Sequence, residues 1–171
     1  MTRLFQQLYS YHAWANSELF DKLALVEDER HRDELQAMLA LISHAYVVAR
    51  IFAGHLEGVA HGFTSDNLEQ PPALGDLRAA VAATDTWYLD YVRQVSPAAL
   101  AEAVDFTFTD GDQGRMTREE MLTHVVLHAG YHRGEVGRLL RQISASLPWD
   151  TFAVYLHQSE PGRRGRADRH A

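Results

Sequence analysis

Apolar residues recur at helical spacing over four long stretches of the chain, and polar runs separate them. From Leu4 to Val26 the residues Leu4, Leu8, Tyr11, Ala15, Leu19 and Val26 fall on one side, while Gln6, Asn16 and Asp21 fall elsewhere, which predicts a first helix. A charged stretch, Glu27 to Asp33, leads into a second helix from about Glu34 to Glu57, striped by Met38, Ile42, Ala45, Ala49, Phe52 and Leu56. Between Leu41 and Ala53 apolar residues point in nearly every direction, so this helix is buried on more than one side. A dimer interface and a position deep in the bundle under a covering loop explain that equally well.

A long connection, Gly58 to Gly75 with Pro71 and Pro72, precedes a third helix marked by Leu77, Val81, Thr84, Tyr88, Tyr91 and Val95 and ending before Pro97. Val104, Phe106 and Phe108 then alternate with Asp105, Thr107 and Thr109 ahead of Asp110-Gly111, a hairpin pattern with its return near Gln113 to Met116. Thr117 stands three residues before Glu120, a capping box that starts a fourth helix reaching about Ser144. Pro148 stops it, and Asp150 to Gln158 form a last short helix. The pattern is all-α: a four-helix bundle with a short β-hairpin before the last long helix, occupying residues 1–160 as one domain. Two long connections allow some neighbouring helices to run parallel.

With 171 residues, of which 46% are hydrophobic and 23% charged, the chain supports one core rather than two domains. It has no cysteine, which excludes disulfides, thiolate-ligated zinc and a cysteine nucleophile. The net charge is -7, and positive charge concentrates only in Arg163, Arg164, Arg166 and Arg169 near the end, so no basic face exists to neutralise a nucleic-acid backbone. Residues 161–171 read as a disordered basic tail. No signal-peptide pattern opens the chain, and the apolar stretch Ala45 to Gly54 is broken by Arg50, so the expectation is a cytoplasmic protein with no membrane partner.

Ten histidines make metal chemistry the question, and position decides it. On the fourth helix Met121, Val125, Val136, Leu139 and Ile143 define an apolar arc, and His128 and His132 fall inside it one turn apart, so both imidazoles can reach one ion. A third protein ligand must come from His12, His44, His55 or His124. His124 is poorly placed to converge with its neighbours along a straight helix, while His12 and His44 each lie on an apolar side of their own helix, and periodicity does not separate those two. Other motifs fail: His31-Arg32-Asp33 lacks any phosphate loop before it, and no Glu-x-x-His pair or His-Glu-x-x-His helix occurs.

The segment H-V-V-L-H-A-G-Y-H-R-G-E-V, His124 to Val136, resembles the signature of the DinB/YfiT-like family of metal-dependent four-helix-bundle proteins. Trp14-Ala15-Asn16 on the first helix, His44 opening the apolar run on the second, and F-T-F-T-D-G before the last long helix fit that family in order and spacing, up to about Leu156. The resemblance implies up-down-down-up topology, a homodimer as in many members, and a divalent metal held by His44, His128 and His132. Zinc, nickel and iron all suit three imidazoles. Two departures, Leu127 and Glu135, remove no ligand. Glu135 either orients a ligand through a hydrogen bond or sits on a solvated rim, the plainer reading. Tyr131 and Asn16 are pocket candidates whose plainer role is packing or hydrogen bonding inside the bundle.

Three imidazoles leave positions on an ion for water or substrate, the arrangement of a catalytic site. The resemblance implies a transferase that uses a low-molecular-weight thiol cofactor, such as bacillithiol, mycothiol or glutathione, on a small electrophilic substrate. A hydrolase using metal-bound hydroxide, and a non-catalytic metal-binding stress-response protein, are the two alternatives.

Overall fold

The computed structural model describes residues 2–26 and 29–165. Four long helices carry the fold: α1 (Thr2–Leu23), α2 (Arg32–Glu57), α3 (Leu74–Gln94) and, after a short α4 (Pro97–Leu100) and a hairpin, α5 (Arg118–Gln142). The hairpin pairs β1 (Ala103–Thr107) antiparallel with β2 (Gln113–Thr117), and α6 (Phe152–Ser159) closes the described chain with a 3-10 turn, Pro161–Arg163. Glu27 and Asp28 of the charged stretch, and Arg166 and Arg169 of the basic tail, lie outside the described residues.

Contacts between helices fix their directions. Arg78 at the start of α3 bonds Asp21 near the end of α1, and Gln6 at the start of α1 reaches the carbonyl of Val92 at the end of α3, so these two are antiparallel. The Arg118 guanidinium at the start of α5 donates to the carbonyl of Leu56 at the end of α2, an antiparallel pair again. Along α2 and α3, Met38 and Leu39 share a core cluster with Leu77, while Tyr88 donates to the carbonyl of Ala49 further on, so those helices are parallel. Tyr9 to Leu122 and Asn16 to Arg133 advance together along α1 and α5. The result is the up-down-down-up bundle.

Local chemistry explains most boundaries. Thr117 and Glu120 form the reciprocal capping box at the start of α5. Gly111, at φ 97°, supplies the left-handed residue of the hairpin turn. Phe106 faces Gly114 across the ladder, and a Cβ there would lie 2.5 Å from the Phe106 ring, so only glycine leaves space for that ring to fold down onto Phe52 and His55. Several boundaries differ from the sequence expectation: α1 stops at Leu23, three residues before Val26, and two others have a clear local cause. Pro97 does not only end a helix: with Ser96 accepting from the Ala99 amide it starts the short α4, since proline fits the first helical turn. The last helix begins at Phe152, two residues late, because Thr151 caps it and the Asp150 carboxylate turns inward to Arg133.

Helix α2 is buried nearly all round within the single chain, from Met38 and Ile42 to Ile51, Ala53 and Leu56. The connection after it closes over one side, where the bare Cα of Gly54 admits residues 59 and 61; a Cβ there would sit 2.9 Å from that of His61. The covering-loop alternative accounts for its apolarity, and a dimer interface is not needed for that purpose. Together with the turn before it, α2 is also long and apolar enough by composition to cross a bilayer, but most of the stretch packs inside the bundle.

The apolar core is interrupted at one level. One cluster gathers Phe5, Tyr9, Phe52, Tyr88, Met121, Leu122 and Val125, and the other Leu19, Leu23, Met38, Ile42, Leu77, Val136 and Leu140. On every long helix the gap between the clusters carries polar side chains: His12 and Asn16 on α1, His44 on α2, Thr84 and Asp85 on α3, and His128, His132 and Arg133 on α5. The candidate site lies in this layer.

Candidate metal centre

The antiparallel packing of α2 on α5 brings His44 opposite the His128/His132 pair. Nε2 of His128 lies 3.2 Å from Nε2 of His44 and 3.1 Å from Nε2 of His132. One ligand nitrogen from each of the three histidines falls within a 4.8 Å set. All three are partly buried, with the His44 and His132 side chains 19% and 13% exposed.

The outer nitrogens determine what the inner ones offer. Nδ1 of His44 stands 2.9 Å from the backbone carbonyl of Asp66, and Nδ1 of His132 stands 2.8 Å from Oε2 of Glu135. Both partners only accept, so each Nδ1 carries the proton and each Nε2 presents a lone pair. His128 can donate one proton at Nε2, to one neighbour only, which leaves at least one close pair as lone pair facing lone pair. A cation resolves all three at once. Nitrogens bound to one tetrahedral ion at about 2.0–2.1 Å stand about 3.3–3.4 Å apart, and on one face of an octahedron about 3.0 Å apart. The two close separations lie between those values and all three nitrogens fall within 4.8 Å, so the three histidines could hold a divalent metal.

Electrostatics favour the ligand form. Burial pushes His128 down to about 4, helped by His132, His124 and His44, so it is neutral at pH 7 and loses no proton on binding an ion. His124 stacks on His128 with ring centroids 5.2 Å apart and meets the Phe52 ring at a tilt, 4.7 Å between centroids, outside the triad as its helical direction implies. His12, which periodicity left level with His44, is deeply buried elsewhere in the layer, and His55 packs on Phe106 and His61.

Two sequence readings change. Glu135 is no free rim residue, because its carboxylate holds His132. Tyr131 is not packed within the bundle: it is 67% exposed and meets the His132 ring edge-on. Asn16 takes its plainer role, donating to both oxygens of Asp85 and accepting from Arg133. Arg133, Asp85 and Asp150 were missed, although Asp85 between Val81 and Tyr88 is a charge inside an apolar stripe, a usable signal. Behind His132, Arg133 and Asp85 join His12 and Asn16 in lining a cavity of about 30 Å³, with Ala45, Tyr46, Ala49 and Ala129 on its apolar side. That is room for about one water.

Glu135→Gln keeps the size but replaces a charged acceptor on His132 with a neutral one. It should weaken zinc binding by about 10- to 100-fold, the usual effect of removing a ligand's outer partner. Competition against a chromophoric chelator measures the affinity. Melting curves of the variant and wild type without metal should nearly coincide, which separates a change at the site from a general loss of stability.

An up-down-down-up helical bundle whose mid-level polar layer presents three convergent imidazoles defines a class, helical proteins with a three-histidine site able to hold a divalent metal. The chain belongs to the DinB family, whose family model matches residues 1–164. It is 27% identical over 168 residues to "Protein DinB" of Bacillus subtilis (strain 168), covering 90% of this chain and 94% of that protein. No solved structure matches the chain.

Proposed function

We propose that this DinB-family chain is a metal-dependent transferase that joins a low-molecular-weight thiol to a small electrophilic substrate. The observation that carries the reading is the convergence of three Nε2 atoms, with His44 and His132 each fixed from behind by an acceptor. A divalent ion of the zinc, nickel or iron type bound there supplies Lewis acidity that activates a thiol or a water at neutral pH. The protein's own part is to hold three imidazoles toward one point, which leaves coordination positions for reactants. With no cysteine in the chain the thiol must come from outside. A cytoplasmic homodimer belongs to the same proposal, and light scattering in solution decides the dimer.

The test follows consumption of a chloro- or bromo-substituted electrophile by protein loaded with zinc, nickel or iron, with and without bacillithiol, mycothiol or glutathione. The expected result is turnover that rises with one of these thiols and falls to background in His128→Ala. Turnover of an ester that is independent of thiol points instead to a hydrolase and sinks the transferase reading.

A further inference from the structure

Between Val126 and Val136 the only buried residues on α5 are Ala129 and Arg133, and this nine-residue span holds two of the three candidate ligands. Apolar packing therefore anchors α5 before and after the site but supplies nothing larger than alanine at it. The same span is smooth on the side facing Tyr11 and Asp150, where Gly130 and Gly134 present no side chain and Gly137 continues the surface. A Cβ added at Gly134 or Gly137 would meet nothing within 4 Å, so no ridge sits in a groove there to fix the helix rotation.

Arg133 takes that place with directional bonds. Its residue is 5% exposed, and its donors are met from α1 and from the segment after α5. Nε donates to Oδ2 of Asp150 at 2.7 Å and Nη2 to Oδ1 of the same carboxylate at 3.4 Å, with the Tyr11 hydroxyl at 3.5 Å. Nη1 donates to Oδ1 of Asn16 at 3.2 Å and to Nδ1 of His12 at 3.3 Å. Because His12 accepts at Nδ1, its Nε2–H points to Oδ1 of Asp85, 3.2 Å away. The planar guanidinium is thereby tied to α1, through α1 to α3, and to the segment after α5.

A rotation of α5 by about 10° moves a side-chain atom roughly 5–6 Å from its axis by about 1 Å. Metal–ligand distances tolerate about 0.2 Å. We infer that Arg133, clamped by Asp150, Tyr11, His12 and Asn16, is the positioning residue of the metal centre, fixing the rotation of α5 that aims His128 and His132 at His44. The inference rests on the metal-binding reading of the triad. It makes Arg133 a group that touches no reactant and acts through its neighbour His132.

The test uses the full chain and two readouts, the visible spectrum after loading with cobalt(II) and the zinc dissociation constant from chelator competition. The variants are Arg133→Met, Arg133→Lys and Asp150→Asn, with Arg78→Ala, which breaks an exposed α1–α3 ion pair, as control. Arg133→Met and Asp150→Asn should weaken zinc at least 10-fold and alter the cobalt bands, Arg133→Lys should recover part of the affinity, and Arg78→Ala should match wild type. If Arg133→Met does not fold, Asp150→Asn decides, since it keeps the shape of the acceptor. Lower melting temperatures with wild-type cobalt spectra and zinc affinities within twofold would make Arg133 a stability residue only and overturn the inference. Wild type that takes up neither cobalt nor zinc removes the metal reading itself, and the inference with it.

Discussion

Saturating zinc should raise the melting temperature of the wild-type protein by about 8–16 °C and leave His128→Ala unmoved. An ion that binds only the folded state stabilises it by about 4 kcal/mol at a thousandfold excess over its dissociation constant. In a chain of this size each kcal/mol is worth about 2–4 °C. His128 is the pivot of the site, since both short nitrogen separations, to His44 and to His132, run through it. Without metal the same substitution should cost little, because it removes an imidazole whose Nε2 crowds two others and whose protonation burial already opposes. A histidine serving only the core would behave the other way, costing stability in the absence of metal and changing nothing in the response to it. Scanning calorimetry of both proteins with and without zinc separates the two.

Phe52→Ala should lower stability by about 3–5 kcal/mol, the range for emptying an aromatic core position, and the melting temperature by about 6–20 °C. Phe52 sits where α2, α5 and the hairpin meet, against His124 at 4.7 Å and Phe106 at 5.9 Å between ring centroids. Few atoms can move into the space it leaves, because Gly114 already lets the Phe106 ring down to its closest approach. The loss should be the same at low and high protein concentration, as α2 is covered by its own chain. A cost that appears only at concentrations favouring a dimer would mean that this part of α2 is buried by a second copy instead. Thermal melts across a hundredfold range of concentration measure it.

The helices were readable from the sequence because α1, α3 and α5 each have one side that must leave water and α2 is apolar on nearly every side, while the capping box at Thr117 and the turn at Gly111 use chemistry local to a few residues. Periodicity also placed His128 and His132 on the inner face of α5. It could not choose between His12 and His44, since it gives a direction about one helix axis and not which helix lies across from it. That choice belongs to topology: α2 meets α5 antiparallel at the level of His44, whereas α1 runs parallel to α5 and delivers His12 to Arg133. The resemblance to the DinB/YfiT-like signature carried that information where the pattern did not. What stayed hidden is long-range and polar. The carbonyl of Asp66 that fixes His44 belongs to a connection, and the Asp150 carboxylate that meets Arg133 lies beyond the end of its helix. Neither leaves a periodic trace.

Whether His44, His128 and His132 form one metal site is tested most directly by elemental analysis of untagged protein. Wild type, His44→Ala and His128→Ala are purified in parallel, reloaded with zinc, nickel or iron, and dialysed against metal-free buffer. A shared site predicts close to one transition-metal ion per wild-type chain and almost none in either variant. Wild type that stays empty after reloading, or variants that keep the same metal content, would contradict it.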